Sequence, residues 1–593
     1  MCGIGGYLFQ KVGSDFDAVM PLESMIQRMS SRGPDANGKW LSECKMAGIC
    51  HTRLSIIDLN ERSKQPMTSL CGRYVIAFNG EIYNYKSIRR LLLNKGVKLR
   101  TTSDTEAILE LFALYGKPSF EKLRGMFAFS IYDIKDRSFI LVRDPYGIKP
   151  LYLAKSRNGW VFASQVKALI DSRLVSKTPS AHGQFGFWLY GSVPEPYTWY
   201  EDITALQPGT WVCIKSNGVS SSKSFKNISD EWINASHSHH TLSEVRERFQ
   251  CAIRESIISH MVSDVPIGLF LSGGVDSGSL AGVMSETMNN ITAITLKFDE
   301  YSGNNDESVH AKVIAKNFKM NHHIKVVDEA EFISDIDTIL YDMDQPTIDG
   351  FNSWYASKAA SECGLKVCLS GIGADEILCG YPSFSKIPLF QSLWNSAFKF
   401  GKLTTIVKLI ASYLLPRHKS ERIRAISSGP IDLSTAYWIQ RGLFSPKDAL
   451  LINSDLFKTL KNIEPSAFVE KYFDNLLDSS AISISLLESR AYLANQLLRD
   501  SDWASMAHGV ELRTPFVDTK LLSTIVDLIP EFKNNVGKKI LSDTPTSPLP
   551  RIIQQKNKTG FGIPVASWID KGSSRSSEFS ESMFVAKFVA ENY

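Results

Sequence analysis

The sequence predicts an α/β and α+β protein in two parts: a strand-rich first part, then a doubly wound, mostly parallel α/β second part with added helices. Three observations carry this. Up to about Val212, short apolar runs alternate with turns; residues 74–78 (Tyr-Val-Ile-Ala-Phe) read as a buried strand and Ile134-Lys135-Asp136-Arg137 as a hairpin. From Thr241 onward, short apolar strands alternate with longer helical patterns, as in parallel strands joined by helical crossovers. Between the two, residues 215–240 turn Ser-, Asn- and His-rich and read as a linker. The expected division is therefore 1–214, a linker 215–240, 241–571, and a variable Ser- and Glu-rich tail 572–593. At 593 residues and 44% apolar content, the chain can fill more than one core.

In chain order, the first chemical signal is Cys2-Gly3-Ile4-Gly5-Gly6. If Met1 is removed, Cys2 carries a thiol beside an α-amine of pKa ~7.7–8.0, close enough to neutrality to take the thiol proton directly or through one water. His51-Thr52-Arg53-Leu54 supplies a guanidinium suited to a bidentate grip on a carboxylate. Asn79-Gly80-Glu81 follows the strand at 74–78, and its amide and flexible N–H suit a developing oxyanion; Asn-Gly is also a common hairpin turn. A helix near residues 88–94 closes at Gly96. Ser103-Asp104-Thr105-Glu106 opens another with a capping box, so Asp104 has an ordinary helix-start explanation as well.

In the second part, Thr241-Leu242-Ser243-Glu244 is a capping box before Val245, Phe249, Ile253 and Ile257 at helical spacing. The strand Pro266-Ile267-Gly268-Leu269-Phe270-Leu271 runs into Ser272-Gly273-Gly274-Val275-Asp276-Ser277 and then a helix, which makes an anion cradle of backbone N–H groups at a positive helix end. The loop has neither Walker A nor dinucleotide-fingerprint spacing. A second strand at 365–369 ends in Ser370-Gly371-Ile372-Gly373-Ala374-Asp375-Glu376. Asp276 and Asp375 thus lie on loops at strand carboxyl ends, where open α/β sheets bind ligands, and two such carboxylates beside a triphosphate suit Mg²⁺. Residues 389–488 read as mainly helical and carry no motif.

Together, Met1-Cys2-Gly3-Ile4, Arg32-Gly33-Pro34-Asp35, His51-Thr52-Arg53-Leu54, Gln65-Pro66-Met67, Asn79-Gly80-Glu81-Ile82-Tyr83-Asn84, Ser103-Asp104-Thr105-Glu106, Gly125-Met126-Phe127-Ala128 and the run from Arg143 to Pro150 resemble the glutaminase domain of class II glutamine amidotransferases, an N-terminal-nucleophile αββα sandwich. The resemblance implies that Cys2 attacks the glutamine side-chain amide. It also implies that Asn79 and Gly80 form the oxyanion hole and that Arg53, Leu54, Glu81 and Asp104 complete the glutamine site. The Ser-Gly-Gly-Val-Asp-Ser loop resembles that of ATP pyrophosphatases. With Phe162-Ala163-Ser164, Asp502-Trp503-Ala504-Ser505-Met506-Ala507, Glu511-Leu512-Arg513-Thr514-Pro515-Phe516 and Lys558-Thr559-Gly560-Phe561-Gly562-Ile563-Pro564, the whole order resembles the glutamine-hydrolysing asparagine synthetase family. On that resemblance Ser272, Gly273, Gly274 and Ser277 hold the pyrophosphate of ATP, Phe270, Leu271, Leu296, Ser370 and Gly371 border the adenosine, Lys558 reaches the phosphates, and Asp276 and Asp375 ligate Mg²⁺. The implied reaction hydrolyses glutamine, adenylates a carboxylate and lets ammonia displace AMP, with aspartate as the most economical acceptor.

Some positions depart from that pattern. Ile372 stands where aspartate-using members carry a glutamate; Gln165 and Gly278 replace a glutamate and a serine. Isoleucine can neither take a proton nor pair with an ammonium, so the alternative keeps the machinery and changes the acceptor to a sugar acid, a peptide or a specialised metabolite. A non-catalytic scaffold is a further alternative, against which Cys2, Arg53, Asn79, Asp104, Asp276 and Asp375 all stand. A net charge of +4 without a basic tract leaves no nucleic-acid footprint, so an enzyme modifying tRNA is disfavoured. No apolar run approaches the ~18 residues of a membrane span. Nine cysteines without a Cys-x-x-Cys pair suit a reducing cytoplasm, and Cys363, Cys368 and Cys379 read as core or near-core thiols rather than zinc ligands. His237, His239 and His240 read as an exposed loop rather than a metal site. The expected partners are small molecules (glutamine, ATP, a carboxylate) and, as in many such enzymes, a second copy of the chain.

Overall fold

The computed structural model describes residues 2–11, 13, 16–235, 240–301, 306–400, 403–426, 429–460, 462–470, 480–556, 562–569 and 580–593. Its strands, in chain order, are β1 (Gly3–Phe9), β2 (Ala36–Leu41), β3 (Ala47–Arg53), β4 (Met67–Thr68), β5 (Tyr74–Ile82), β6 (Gly125–Asp133), β7 (Ser138–Arg143), β8 (Tyr152–Ser156), β9 (Gly159–Ala163), β10 (Ile203–Ala205), β11 (Thr210–Lys215), β12 (Gly218–Ser224), β13 (Ile267–Phe270), β14 (Thr292–Phe298), β15 (Asn321–Val327), β16 (Val367–Leu369) and β17 (Glu511–Arg513).

The first twelve form two six-stranded sheets, ordered β10-β8-β9-β1-β3-β2 and β12-β11-β7-β6-β5-β4. Side-chain alternation glues them face to face. Ile4 and Leu8 of β1 and Val75 and Ala77 of β5 share the inter-sheet core. Tyr7 and Phe9 point outward onto the helices Met20–Arg28 and Val166–Asp171. Ile76 and Phe78 point outward onto the helices Tyr85–Asn94 and Asp104–Tyr115. The result is the expected αββα sandwich. β5 runs straight through Asn79 and Gly80, so Asn-Gly is not a turn here.

The remaining strands make one parallel sheet, β15-β14-β13-β16-β17. The chain leaves β13 to one side through β14 and β15, then returns to the other through β16 and β17. The strand order therefore reverses between β13 and β16, and the loops after these two strands flank the crevice where such sheets bind ligands.

Residues 215–240 differ from the linker expected of them. β12 pairs with β11 along its length, and the short helix Ser229–Ile233 buries Trp232, whose Nε1 donates to Ser485 Oγ at 3.0 Å. The polar composition belongs to an edge strand, which tolerates it because one side faces water. His237 and His239 lie outside the described residues, while His240 meets Asp527 at 3.1 Å. The second part carries helices from Ser383–Lys399 to Ala481–Leu487, followed by a π-helical stretch, Glu488–Leu498. None of the nine cysteines is in a disulfide; Cys368 is buried, Cys379 half-buried, and Cys363 exposed rather than near-core, at the end of the helix Phe351–Glu362. Among the described residues no helix is long and apolar enough to cross a membrane.

Two candidate sites joined by one strand

Cys2 sits buried at the start of β1, in a pocket lined by Arg53, Leu54, Gln65, Gly80, Glu81, Asp104 and, from the second part of the chain, Glu511. Its backbone N donates to Asn79 Oδ1 at 3.0 Å and its carbonyl accepts from Arg32 Nε at 3.1 Å. Because Asn79 Oδ1 is occupied, Nδ2 is left buried without a hydrogen-bond partner among the described residues, as a donor awaiting an anionic oxygen would be. Gly80 adopts φ +145°, and a Cβ there would stand 2.1 Å from the Met126 carbonyl, so only glycine fits. Arg53 is aimed by the carbonyls of Asp58 (2.6 Å) and Asn60 (3.2 Å). Burial pushes the Cys2 thiol up, against the amino terminus, the Leu54 N–H and Arg53, with Glu511 adding to the rise.

Asp104 opens the helix Asp104–Tyr115. It accepts from the N–H groups of Ile82 (3.2 Å) and Thr105 (2.8 Å), yet burial still lifts its carboxyl to about 7. Ser103 caps this helix through the Glu106 N–H, but the other half of the expected box is absent. The Glu106 carboxylate turns instead to the N–H groups of Arg100 and Thr101, which reach it at 2.8 and 2.7 Å.

Glu81 is not free to face a ligand alone. Arg513 Nη2 donates to Glu81 Oε2 at 3.0 Å, its Nε donates to Glu511 Oε1 at 2.7 Å, and its Nη1 donates to the His260 and Val262 carbonyls. Burial and Asp104 raise Glu81 well above the carboxylate range; Glu511 is buried too, but the amino terminus and Arg513 hold it low. The pocket offers about 30 Å³ to water-sized molecules, room for one or two waters, so a ligand the size of an amino acid enters only as the lining opens.

In the second part, the loop after β13 closes on itself. Ser277 Oγ accepts from the Ser272 N–H (3.1 Å), and Ser272 Oγ from the Gly274 N–H (3.3 Å). The helix Val275–Ser285 has no side-chain cap, which leaves its first N–H groups for an anion. A Cβ on Gly371 would lie 3.0 Å from that of Asp276, so the loops after β13 and β16 touch. Lys538 Nζ lies 2.5 Å from Asp276 Oδ1 and 2.7 Å from Asp375 Oδ1. Burial works against its charge, but the two carboxylates win and raise its pKa. Both oxygens therefore converge on one cation, the Lys538 ammonium, and such a pair of carboxylates would fit Mg²⁺.

Of the residues expected around adenosine, Phe270 and Ser370 flank the crevice. Leu271 and Leu296 bury their side chains in the cores beside the sheet, leaving only backbone to border a nucleotide. Lys558 lies outside the described residues. Lys556 instead approaches the loop: its Nζ is 3.2 Å from where a Gly273 Cβ would stand, and its nearest carboxylate, Glu307, is 3.8 Å away. Ile372 packs into the apolar cluster with Phe270, Cys368 and Leu512.

The two sites are held in register by residues from both parts. Arg32, which holds the Cys2 carbonyl, is itself gripped by both oxygens of Asp502 at 2.7 and 3.2 Å. Lys149 joins Asp502 at 3.6 Å, and Asp35 pairs with Lys366 at 2.8 Å. β17 spans the gap: Glu511 lines the Cys2 pocket, and two residues on, ~7 Å along the strand, the Arg513 carbonyl accepts from the Ser370 N–H at 2.8 Å. Lys538 and Lys556 were not singled out by sequence reasoning; Arg32, Gln65, Asp502, Glu511 and Arg513 stood in the matching blocks without an assigned role.

Residues 1–226 match the family model of a glutamine amidotransferase domain and residues 248–580 that of asparagine synthase. An asparagine synthetase of Bacillus subtilis is 29% identical over 96% of this chain and 88% of its own. A putative asparagine synthetase of Mycobacterium tuberculosis is 27% identical over 96% and 89%. An amidase of Gibberella zeae, chry2, is 26% identical over 91% and 84%. A glutamine phosphoribosylpyrophosphate amidotransferase structure from B. subtilis covers 55% of this chain and 65% of its own at 15% identity and a TM-score of 0.30; the fold rests on the strand order above.

Proposed function

The chain belongs to the asparagine synthase family, and from that premise we propose that it makes a carboxamide from a carboxylic acid, with Cys2 as nucleophile and the crevice between β13 and β16 as the adenylation site. It is a glutamine-dependent, ATP-using amidotransferase. The observation that carries the residue assignments is the shared strand β17, which puts Glu511 in the Cys2 pocket and ties Arg513 to Ser370.

Cys2 Sγ attacks the glutamine side-chain carbonyl while the freed α-amine takes the thiol proton, and the oxyanion is met by Asn79 Nδ2 and the backbone at Gly80. Arg53 grips the substrate α-carboxylate and Asp104 its α-ammonium. Ammonia leaves with that proton, and water hydrolyses the thioester to glutamate. In the second site the acceptor carboxylate displaces pyrophosphate from the ATP α-phosphorus, because a carboxylate resists attack until AMP is its leaving group. Ammonia then displaces AMP. Asp276 and Asp375 would hold Mg²⁺, which neutralises phosphate charge when bound; Lys538 and Lys556 bring two further positive charges to the triphosphate.

Aspartate is the simplest acceptor on family grounds. A second reading, another carboxylate, is favoured by the packing of Ile372 against the apolar cluster that Phe270 also meets and by a relative named as an amidase. The test is AMP formation over a panel of carboxylates, with Cys2→Ala compared. That variant should lose glutamine-supported synthesis and keep synthesis from ammonium salts. Loss of both would refute two separable sites.

A further inference from the structure

We infer that the large cavity beneath the helical region is the acceptor pocket, and that the acceptor is an organic acid larger than aspartate whose second anionic group binds Arg422. This rests on the acyl-adenylate reading above and deepens it. The cavity holds about 500 Å³, within the ~300–1,000 Å³ of ordinary small-molecule sites, whereas the Cys2 pocket holds about 30 Å³.

One wall is linked to the adenylation crevice through packed side chains. The Arg441 guanidinium lies 4.1 Å over the Tyr492 ring, which lines the cavity, and 4.6 Å over Tyr381. Tyr381 donates its hydroxyl to Glu376 Oε1 at 3.0 Å, next along the chain from Asp375. Tyr492 and Gln496 both come from the π-helical stretch Glu488–Leu498, a strained winding that proteins retain mostly where a site needs it.

The opposite wall comes from the helix Arg417–Ala425 and carries Arg422. Arg422 is 3% exposed, and among the described residues its Nε and Nη1 have no hydrogen-bond partner. A buried guanidinium without a counter-ion is costly, so its presence on a cavity wall points to an anion that arrives with the ligand. The other charged groups facing the cavity do not replace that anion. Arg441 is already paired with Glu488, at 2.9 Å through Nη2 and 3.2 Å through Nε. His418 is a neighbour of Arg422 and is pushed down by burial and by that positive charge. The Asp349 carboxyl, also on the lining, is raised by burial. An acid that places its reacting carboxylate by Tyr492 and reaches Arg422 with a second anion uses this space, whereas aspartate would leave most of the roughly 500 Å³ empty.

The test uses the full chain with ATP, Mg²⁺ and ammonium chloride, following AMP with adipate, L-aspartyl-L-aspartate and γ-L-glutamyl-L-glutamate against hexanoate and L-aspartate. The long dianionic acids should be preferred, and Arg422→Gln should lower the dianion-to-monoanion selectivity ~10–100-fold, the worth of a charge-assisted hydrogen bond, while Arg422→Lys retains most of it. The wild-type ranking decides even if the glutamine variant fails to fold. Equal or better turnover of hexanoate or aspartate, or selectivity untouched by Arg422→Gln, overturns this pocket assignment and leaves adenylation standing. No AMP with any acid, with glutaminase activity intact, overturns the adenylation reading and this inference with it.

Discussion

Replacing Arg513 by methionine removes one guanidinium that answers to two carboxylates from different parts of the chain. Arg513 is fully buried, donates to Glu81 and Glu511, and caps the His260 and Val262 carbonyls at the end of the helix Leu242–His260. Methionine keeps most of the volume and leaves two buried carboxylates without their counter-ion. Breaking a buried ion pair from one side costs about 3–5 kcal/mol, which in a domain of this size lowers the melting temperature by on the order of 10 °C. The loss has a signed pH dependence. With Arg513 in place burial and Asp104 already hold Glu81 above the ordinary carboxylate range, while the amino terminus and Arg513 hold Glu511 low; removing the guanidinium shifts both carboxyls upward. The penalty is the difference between variant and wild type: it is fully present above the variant's folded values and shrinks as pH falls through them toward the wild-type ones. Melting curves of wild type and Arg513→Met from pH 8 to pH 4.5 measure this, and Glu81→Gln added to Arg513→Met should recover part of the loss at pH 8. A deficit independent of pH, or no deficit, would refute the assignment of Arg513 as the shared counter-ion.

Two further outcomes follow from the same geometry. In Cys2→Ala, which removes the titrating thiol, glutamine binding measured by calorimetry should tighten as pH rises through about 7. There Asp104 ionises to meet the substrate ammonium; below that pH each unit should cost up to ~tenfold in affinity, and a flat profile would contradict the pairing. Asp276→Asn should cut ATP-dependent adenylation by ~100-fold or more and spare glutaminase activity; unchanged adenylation would remove Asp276 from the ATP site.

Much of the fold was legible because local pattern and tertiary role coincide. Thr241 and Glu244 form the complete capping box their spacing suggests, and the apolar run 74–78 is the strand β5 it suggests. The loops carrying Asp276 and Asp375 meet because both strands end at the same edge of a parallel sheet. Pairings between distant residues were not legible. Ser103 and Glu106 have capping-box spacing, but the Glu106 carboxylate found the Arg100 and Thr101 N–H groups instead. The polar run 215–240 looked like a linker because an edge strand and a short amphipathic helix need few apolar residues. Arg32, Asp502 and Arg513 all lie in motif blocks, yet their work is to clamp the two parts together across hundreds of residues, and no periodicity reports that. Lys538 and Lys556 sit in stretches without a motif, and only the folded crevice brings them beside the anion loop.

The central claim is that nitrogen released at Cys2 reaches the activated acyl group within one chain. With an accepted carboxylate, ATP and glutamine labelled with ¹⁵N in its amide, turnover is run in excess unlabelled ammonium at slightly acidic pH, where bulk ammonia is nearly all protonated. The account predicts a product carrying ¹⁵N in close to one amide per turnover, undiluted by the bulk pool. Product label falling to the bulk isotopic ratio would contradict it.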